Sequence, residues 1–452
     1  CAYDSIVEKG AKVTYAQGYS TAKKNKVSDE KFISDAVEAA KGKDAVLLFI
    51  GLTEEFESEG FDRRHIGIPP LHTKLVDAVS AVNENVIVVL SGGAVVEMPW
   101  ADKVKGILNG ILGGEASGSA TADILFGDVN PSGKLAETYP HALADTPCNN
   151  YFPGNTATVE YRESVYVGYR YYDSAKKDVL FPFGFGLSYT TFEYSDMKLS
   201  SENIKDTDEV TVSFKVKNTG NVDGAEVAQV YVRDEESTIY RPMQELKGFK
   251  KVFLKAGEEK EVSITLSKRA FAYYNVNIHD WHVESGAFTI CVGASSRDIK
   301  LSAQLNVEST VDAVVPDYRE TAPVYYNMDI HNVPADQFVN VLGRELPPSE
   351  IKAYPNLTLV NTIEDSAAGK NGGKIVGLIK KLVGEESMAS GIALQLPIKN
   401  LISMSFGIFN PQMAEQLLDI LNDKKPLVRG IVVMVVKAIP AVIKGIPNLK
   451  KI

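Results

Sequence analysis

Between residues 28 and 127 the chain alternates two kinds of stretch, and that alternation limits the folds open to it. The runs DAVLLFIG (44–51) and VIVVLSGG (86–93) are apolar without interruption. A strand apolar on both faces has to be covered on both, which requires a mostly parallel, doubly wound sheet layered by helices. The intervening stretches supply those helices. In SDEKFISDAVEAAKG (28–42), Ser28 stands where a cap is needed, and Phe32, Ile33, Ala36, Val37 and Ala40 recur at helical spacing. LHTKLVDAVSAVN (71–83) is amphipathic in the same way, and the run KGILNGILGG (105–114) leads into a helix over ASGSATADILFG (116–127). KVTYAQG (12–18) reads as a further short strand. In such sheets the ligand crevice lies at the carboxyl ends of the strands.

The rhythm then changes. Residues 128–195 are rich in Pro, Gly and Tyr and read as a long closing loop with irregular strands. Tyr161, Tyr166, Tyr169, Tyr171 and Tyr172 have two readings: aromatic faces for a sugar, or glue between domains. From about residue 199 to 308, EVTVSFKVKN (209–218), AEVAQVYVRD (225–234), EEKEVSITLS (258–267), AFTICVGASS (287–296) and DIKLSAQLNV (298–307) alternate apolar and polar residues between turn signals. About seven such strands without a Cys–Trp–Cys pattern suggest an all-β, fibronectin-III-like sandwich. Residues 309–452 begin with a Pro- and Tyr-containing linker and continue as a helical extension, with helices expected over 371–384, 410–422 and 429–446. Lysines and apolar residues in the last of these raise a membrane-surface helix. Pro440, Pro447 and the lack of Trp or Phe anchors favour a packed extension. The expected domains are therefore 1–198, 199–308 and 309–452.

Charge narrows the partners. The formal net charge is -10, so no basic face for nucleic acid is expected. No apolar run is long enough to span a bilayer. The three cysteines, Cys1, Cys148 and Cys291, are far apart, and the six histidines form no H-x-x-x-H, so neither a disulfide framework nor a metal site is indicated. LSGGAV is not a dinucleotide or P-loop fingerprint, and GEASG is not a nucleophile elbow. No cofactor is expected. Assembly into a homo-oligomer is compatible with the sequence.

What remains is carboxylate chemistry. GLTEEFESEGFDRRH (51–65) follows an apolar strand and packs Glu54, Glu55, Glu57, Glu59 and Asp62 into the thirteen residues from Gly51 to Arg63, with Arg64 next. Like charges and burial raise the proton affinity of a carboxyl, which is what a general acid working near neutrality needs. Gly60 would let the backbone approach a ligand. A solvated acidic loop has the same composition, and these residues alone do not separate the two.

Six ordered stretches add a resemblance: ESEGFDR (57–63), IGIPPLHTKLVDAV (66–79), VIVVLSGGAVVEMPW (86–100), DILFGDVNPSGKLAETYP (123–140), VEYRESVYVGYRYYD (159–173) and FPFGFGLSYTTFEYS (181–195). Together they resemble glycoside hydrolase family 3, the β-glucosidase group, over roughly residues 1–308. The resemblance implies a retaining mechanism with two carboxyls about 5 Å apart. In the family the nucleophile is an aspartate on a (β/α)8-type barrel preceding the sandwich, for which these 452 residues leave no room. The acid/base is a glutamate on a loop of the sandwich domain. The matching position is Glu59, with Glu57 as the alternative, while Asp62 and Arg63 are expected to pair and hold the loop's shape. Glu97 and Trp100 are expected to pack between domains, and Arg162 and Glu163 to form an internal ion pair. The expectation is thus a fragment of a β-glucosidase that supplies the general acid/base for a β-glucoside or oligosaccharide substrate, inactive without its barrel. The competing expectation is a non-catalytic carbohydrate-binding or interaction module. The third region resembles the extension of long cytoplasmic members from anaerobic Gram-positive bacteria. A cytoplasmic protein is therefore expected, with a secreted one left open by a chain that starts at Cys1. Glucose, xylose and arabinose specificities all fit these domains.

Overall fold

The apolar runs form the parallel sheet their pattern demands. In the computed structural model, β1 (Val46–Gly51), β2 (Val86–Ser91) and β3 (Gly106–Ile111) lie in the order β1-β2-β3, all parallel. The structure describes every residue except 21–26, 55, 58–62, 64, 153–157, 348–350, 385–387, 406–408 and 433–452, and leaves out the side chains of 383, 388, 389 and 392. The chain makes two compact units, one of Cys1–Gly51, His65–Tyr151 and Tyr161–Leu346, the other of Leu52–Arg64, Phe152–Glu160 and Pro347–Ile452.

In the first unit the sheet is flanked by α1 (Ala2–Glu8), α2 (Asp29–Ala40), α3 (Pro70–Ser80) and α4 (Ser117–Phe126). Ser28 caps α2 by accepting the Lys31 N–H at 3.3 Å, and α2 buries Phe32, Ala36 and Ala40. Helix α3 buries His72, Leu75, Val76 and Val79, and α4 stops at Gly127 in the left-handed conformation. Helices α2 and α3 pack together, as do α1 and α4. The α1 helix was not legible in the sequence. It fits against α4 because Gly118 has no side chain: a Cβ there would stand 2.6 Å from the Ala2 backbone nitrogen. Buried Val86, Val88, Val89, Leu90, Ile50 and Trp100 form the interior, each aliphatic side chain contributing about 1.5–3 kcal/mol. Residues 12–18, expected as a strand, are not one. Among the described residues β1 is the sheet's edge, and Val13 and Tyr15 are exposed, so the segment joins no ladder.

The same unit continues through α5 (Tyr169–Ser174) into a two-sheet sandwich. β4 (Phe192–Leu199), β6 (Val210–Asn218) and β9 (Glu259–Leu266) form one sheet; β5 (Asn203–Lys205), β13 (Ile299–Glu308), β12 (Gly286–Gly293), β7 (Gly224–Asp234) and β8 (Glu245–Leu254) form the other, in that order. A short helix, α6 (Lys268–Phe271), precedes a hairpin of β10 (Tyr273–Asn275) and β11 (Asp280–His282). The alternation in β6 places Val210, Val212, Phe214 and Val216 inside, against Val230, Phe288, Ile290 and Leu305. After the sandwich come α7 (Val324–Asn327) and α8 (Ala335–Leu342).

The second unit has a helical core. Among its described helices are α9 (Lys370–Val383), α10 (Met388–Gln395), α11 (Ile398–Met404) and α12 (Pro411–Leu421), around Leu357, Val376, Leu394, Ile398, Leu417 and Leu421. The Asp423 carboxylate accepts the Lys370 and Asn371 N–H groups at 2.7 and 2.9 Å and the Tyr354 hydroxyl at 2.7 Å. It thereby satisfies orphan donors at the start of α9, and these bonds hold its carboxyl below the usual range. Most of the helix expected over 429–446 lies outside the described residues.

Candidate active site

The carboxyl ends of β1 and β2 meet at Gly51 and Ser91, the last pair of their ladder. Only glycine fits there: a Cβ on Gly51 would fall 1.8 Å from the Ser91 carbonyl oxygen. The Gly51 N–H donates to Nδ1 of His72 at 3.3 Å. His72 is 3% exposed, and its ring lies 4.0 Å from that of Tyr19, whose hydroxyl donates to the Phe49 carbonyl at 2.9 Å. Because a backbone N–H can only donate, Nδ1 is the acceptor and the neutral imidazole carries its proton on Nε2. Burial pushes the His72 pKa down to about 4.

Beyond Gly51 the acidic segment begins with a turn, in which the Phe56 and Glu57 N–H groups donate to the Thr53 carbonyl at 2.8 and 3.0 Å. Glu54 is exposed, while Glu57 and Arg63 are half-buried. Glu59, Gly60 and Asp62 lie outside the described residues, and with them the expected Asp62–Arg63 pair. Among the described residues no group of three or more His, Cys, Asp or Glu is arranged to hold a metal ion.

The other sequence candidates have structural roles. Trp100 is fully buried, and Glu97 Oε1 accepts the Leu143 N–H at 3.0 Å. Tyr166, Tyr171 and Tyr172 are buried in an aromatic cluster with Tyr240, Tyr325 and Phe338. Tyr240 and Tyr325 stack at 4.7 Å. Tyr169 stacks on Phe183 at 4.4 Å, and its hydroxyl accepts the Leu246 N–H at 2.8 Å. Of the five tyrosines only Tyr161 is largely exposed. The tyrosine-rich segment thus fastens the α/β part to the sandwich. Ion pairs reinforce the junction: Arg297 with Asp173 at 2.7 Å, Arg170 with Glu245 at 3.2 Å, and Lys134 with the buried Glu226 at 3.3 Å. Rather than pairing with Glu163, Arg162 donates to the Val333 carbonyl at 2.9 Å and lies over the Tyr151 ring. Glu163 is buried, and burial holds its carboxyl above the usual range.

Residues 4–189 match the glycosyl hydrolase family 3 C-terminal domain, and residues 226–296 match the fibronectin type III-like domain. The chain belongs to glycoside hydrolase family 3. Over 434 residues it is 42% identical to the thermostable beta-glucosidase B of Acetivibrio thermocellus, covering 93% of this chain and 52% of that relative. It is 46% identical over 306 residues to an exo-alpha-(1->6)-L-arabinopyranosidase of Bifidobacterium breve, covering 68% of this chain and 40% of that one. The crystal structure of a Bifidobacterium adolescentis GH3 beta-glucosidase superposes with a TM-score of 0.65 at 40% identity, over 83% of this chain and 49% of that one. The chain therefore spans about half the length of the family 3 relatives it matches. Since 93% coverage necessarily reaches past the sandwich, the A. thermocellus enzyme shares much of the helical extension. Among the described residues there is no eight-stranded parallel barrel.

His72 escaped the sequence reading as a site residue. Its signal was present: one polar side chain on the buried stripe of α3, with Leu75, Val76 and Val79.

Proposed function

We propose that this chain provides the acid/base half of a retaining β-glucosidase, with Glu59 as the proton donor and Glu57 as the alternative, the nucleophile being contributed by a barrel domain. The observation that carries this reading is where the acidic segment leaves the sheet. It departs from the carboxyl end of β1, beside that of β2, the edge at which open α/β sheets bind ligands. The family membership and the beta-glucosidase relatives support the same reaction class.

In the first step Glu59 protonates the departing glycosidic oxygen while the barrel carboxylate attacks the anomeric carbon. In the second it removes a proton from water, which releases the sugar with net retention. By this division of labour the 452 residues alone turn over no glycoside, and the same chain joined to a family 3 barrel does. A β-glucoside is the preferred substrate class; the arabinopyranosidase relative keeps a pentopyranoside as the second choice. A cytoplasmic location accords with Cys148 and Cys291, both free.

The test is Glu59→Gln and Glu57→Gln in the barrel-joined enzyme. Loss of the acid should cost about 10²–10⁴-fold on alkyl glucosides and far less on aryl glucosides whose leaving group needs no proton. An unchanged rate for Glu59→Gln favours the non-catalytic module.

A further inference from the structure

At one end of the sandwich's larger sheet, β5, β13 and the start of β12 form an open trough of about 560 Å³. Its lining follows from strand alternation. Ile204 and Val307 are register partners and both lie in the sandwich core, so the residues on either side of each project from the outer face. That sets Asn203 beside Asn306 and Lys205 beside Glu308, with Asp208 from the turn after β5 and Ser285 and Ala287 at the start of β12. The polar groups there are only partly used. Asn306 donates to the Asn203 amide oxygen at 3.1 Å, which leaves the Asn203 NH2 and the Asn306 amide oxygen over. One Asp208 oxygen accepts the Lys205 N–H at 2.9 Å, and Ser285 Oγ accepts the Ser309 N–H at 2.8 Å while keeping its own proton to donate. Among the described residues no ion pair or hydrogen bond engages Lys205 Nζ or the Glu308 carboxylate, although the two stand on neighbouring strands.

Charge and hydrogen bonding together select a ligand class. One ammonium and two carboxylates leave no basic excess to hold an anion, and the lysine opposes a bound cation. What fits is a neutral molecule whose groups donate and accept at once, as sugar hydroxyls do. The small Gly286 and Ala287 let such a molecule come close to the sheet, and the volume lies within the range of about 300–1,000 Å³ found for small-molecule sites. We propose that this trough is a non-catalytic binding site for a neutral oligosaccharide, held by Asn203, Lys205, Asn306 and Glu308. The site keeps a sugar chain on the protein and so raises its local concentration. None of these residues belongs to the acidic segment, so the inference does not rest on the acid/base assignment.

The test titrates cellotriose into the 15N-labelled chain of 452 residues and follows the backbone amide shifts. Saturable shifts should gather at 203–208, 285–287 and 306–308. Half-saturation should fall on the order of 1–10 mM, because exposed hydrogen bonds exchanged against water each contribute little. Lys205→Ala and Asn306→Ala should each weaken binding about 3–10-fold, and Ser302→Ala, on the same strand outside the trough, should leave it unchanged. All three side chains are on the surface, so the melting temperatures should match the wild type. The wild-type shift map locates the site without any variant, so a substitution that impairs folding does not blunt the test. No saturable shift at about 100 mM cellotriose, shifts centred elsewhere, or a folded double variant of Lys205 and Asn306 that binds like the wild type overturns the proposal. Tighter binding of glucose 6-phosphate or of calcium at these residues overturns it too, by making the trough an anion or a cation site.

Discussion

His72 makes the α/β part sensitive to acid, by an amount its burial sets. Its folded pKa of about 4 lies below the 6.5 of a free histidine. The folded state therefore holds the imidazole neutral, while the unfolded chain takes up a proton as pH drops below about 6.5. Stability from this group is fully present above that value and is lost progressively down to about pH 4, where the folded form protonates too. Between about pH 7.5 and 4.5 the loss integrates to about 2.5 kcal/mol, since each tenfold difference in proton affinity between the two states is worth about 1.36 kcal/mol. Other buried groups add pH dependence of their own: burial also lowers the pKa of His331, while it raises those of Glu163 and Glu226, which act in the opposite sense. The informative quantity is therefore the difference between the wild type and His72→Gln, in which those contributions cancel. The chain has two tryptophans, the fully buried Trp100 beside the sheet and Trp281 in the sandwich hairpin. In a Trp281→Phe background, urea unfolding followed by the remaining emission reads the α/β part alone. His72→Gln should gain about 2–3 kcal/mol relative to wild type on going from about pH 7.5 to 4.5. A difference that stays constant across that range would refute a buried neutral histidine at Gly51.

Two further changes test the geometry around the sheet and the domain junction. Gly51→Ala puts a methyl group 1.8 Å from the Ser91 carbonyl oxygen, so the ends of β1 and β2 must separate. We expect a loss of about 2–4 kcal/mol in the same fluorescence assay. Arg297→Met leaves the buried Asp173 without its guanidinium, and should cost about 3–5 kcal/mol at neutral pH, with scanning calorimetry showing the sandwich and the α/β part melting at separated temperatures.

The parallel strands and their helices were legible because burial on both faces leaves an unbroken apolar run, and burial on one leaves a stripe. Ile50, Val88 and Leu90 needed nothing from distant sequence to be placed inside. Residues 12–18 were misread because a local apolar–polar pattern says nothing about whether a neighbouring strand is there to complete a ladder. Strand β8 was missed for the opposite reason. As an edge strand it exposes Phe249 and Phe253 and carries Lys250 and Lys251 outward, so its pattern lacks the alternation of a covered strand. The tyrosines of 166–172 could be read as sugar platform or as glue, since composition is the same for both. Only their burial against Tyr240 and Tyr325, far away in sequence, decides for glue. The acidic segment pointed to the family through a motif rather than a pattern, and Glu59, its proposed acid/base, lies outside the described residues. His72 showed in the sequence only as a polar residue on the buried stripe of α3; that it accepts the Gly51 N–H took the fold to show.

The most direct measurement of the central claim is chemical rescue. In the barrel-joined enzyme, Glu59→Ala should form the glycosyl-enzyme from a dinitrophenyl β-glucoside and then stall for want of a base. Added azide, which needs no deprotonation, should accelerate turnover and yield the β-glycosyl azide. No rescue of Glu59→Ala, or rescue of Glu57→Ala instead, would contradict the assignment of the proton donor to Glu59.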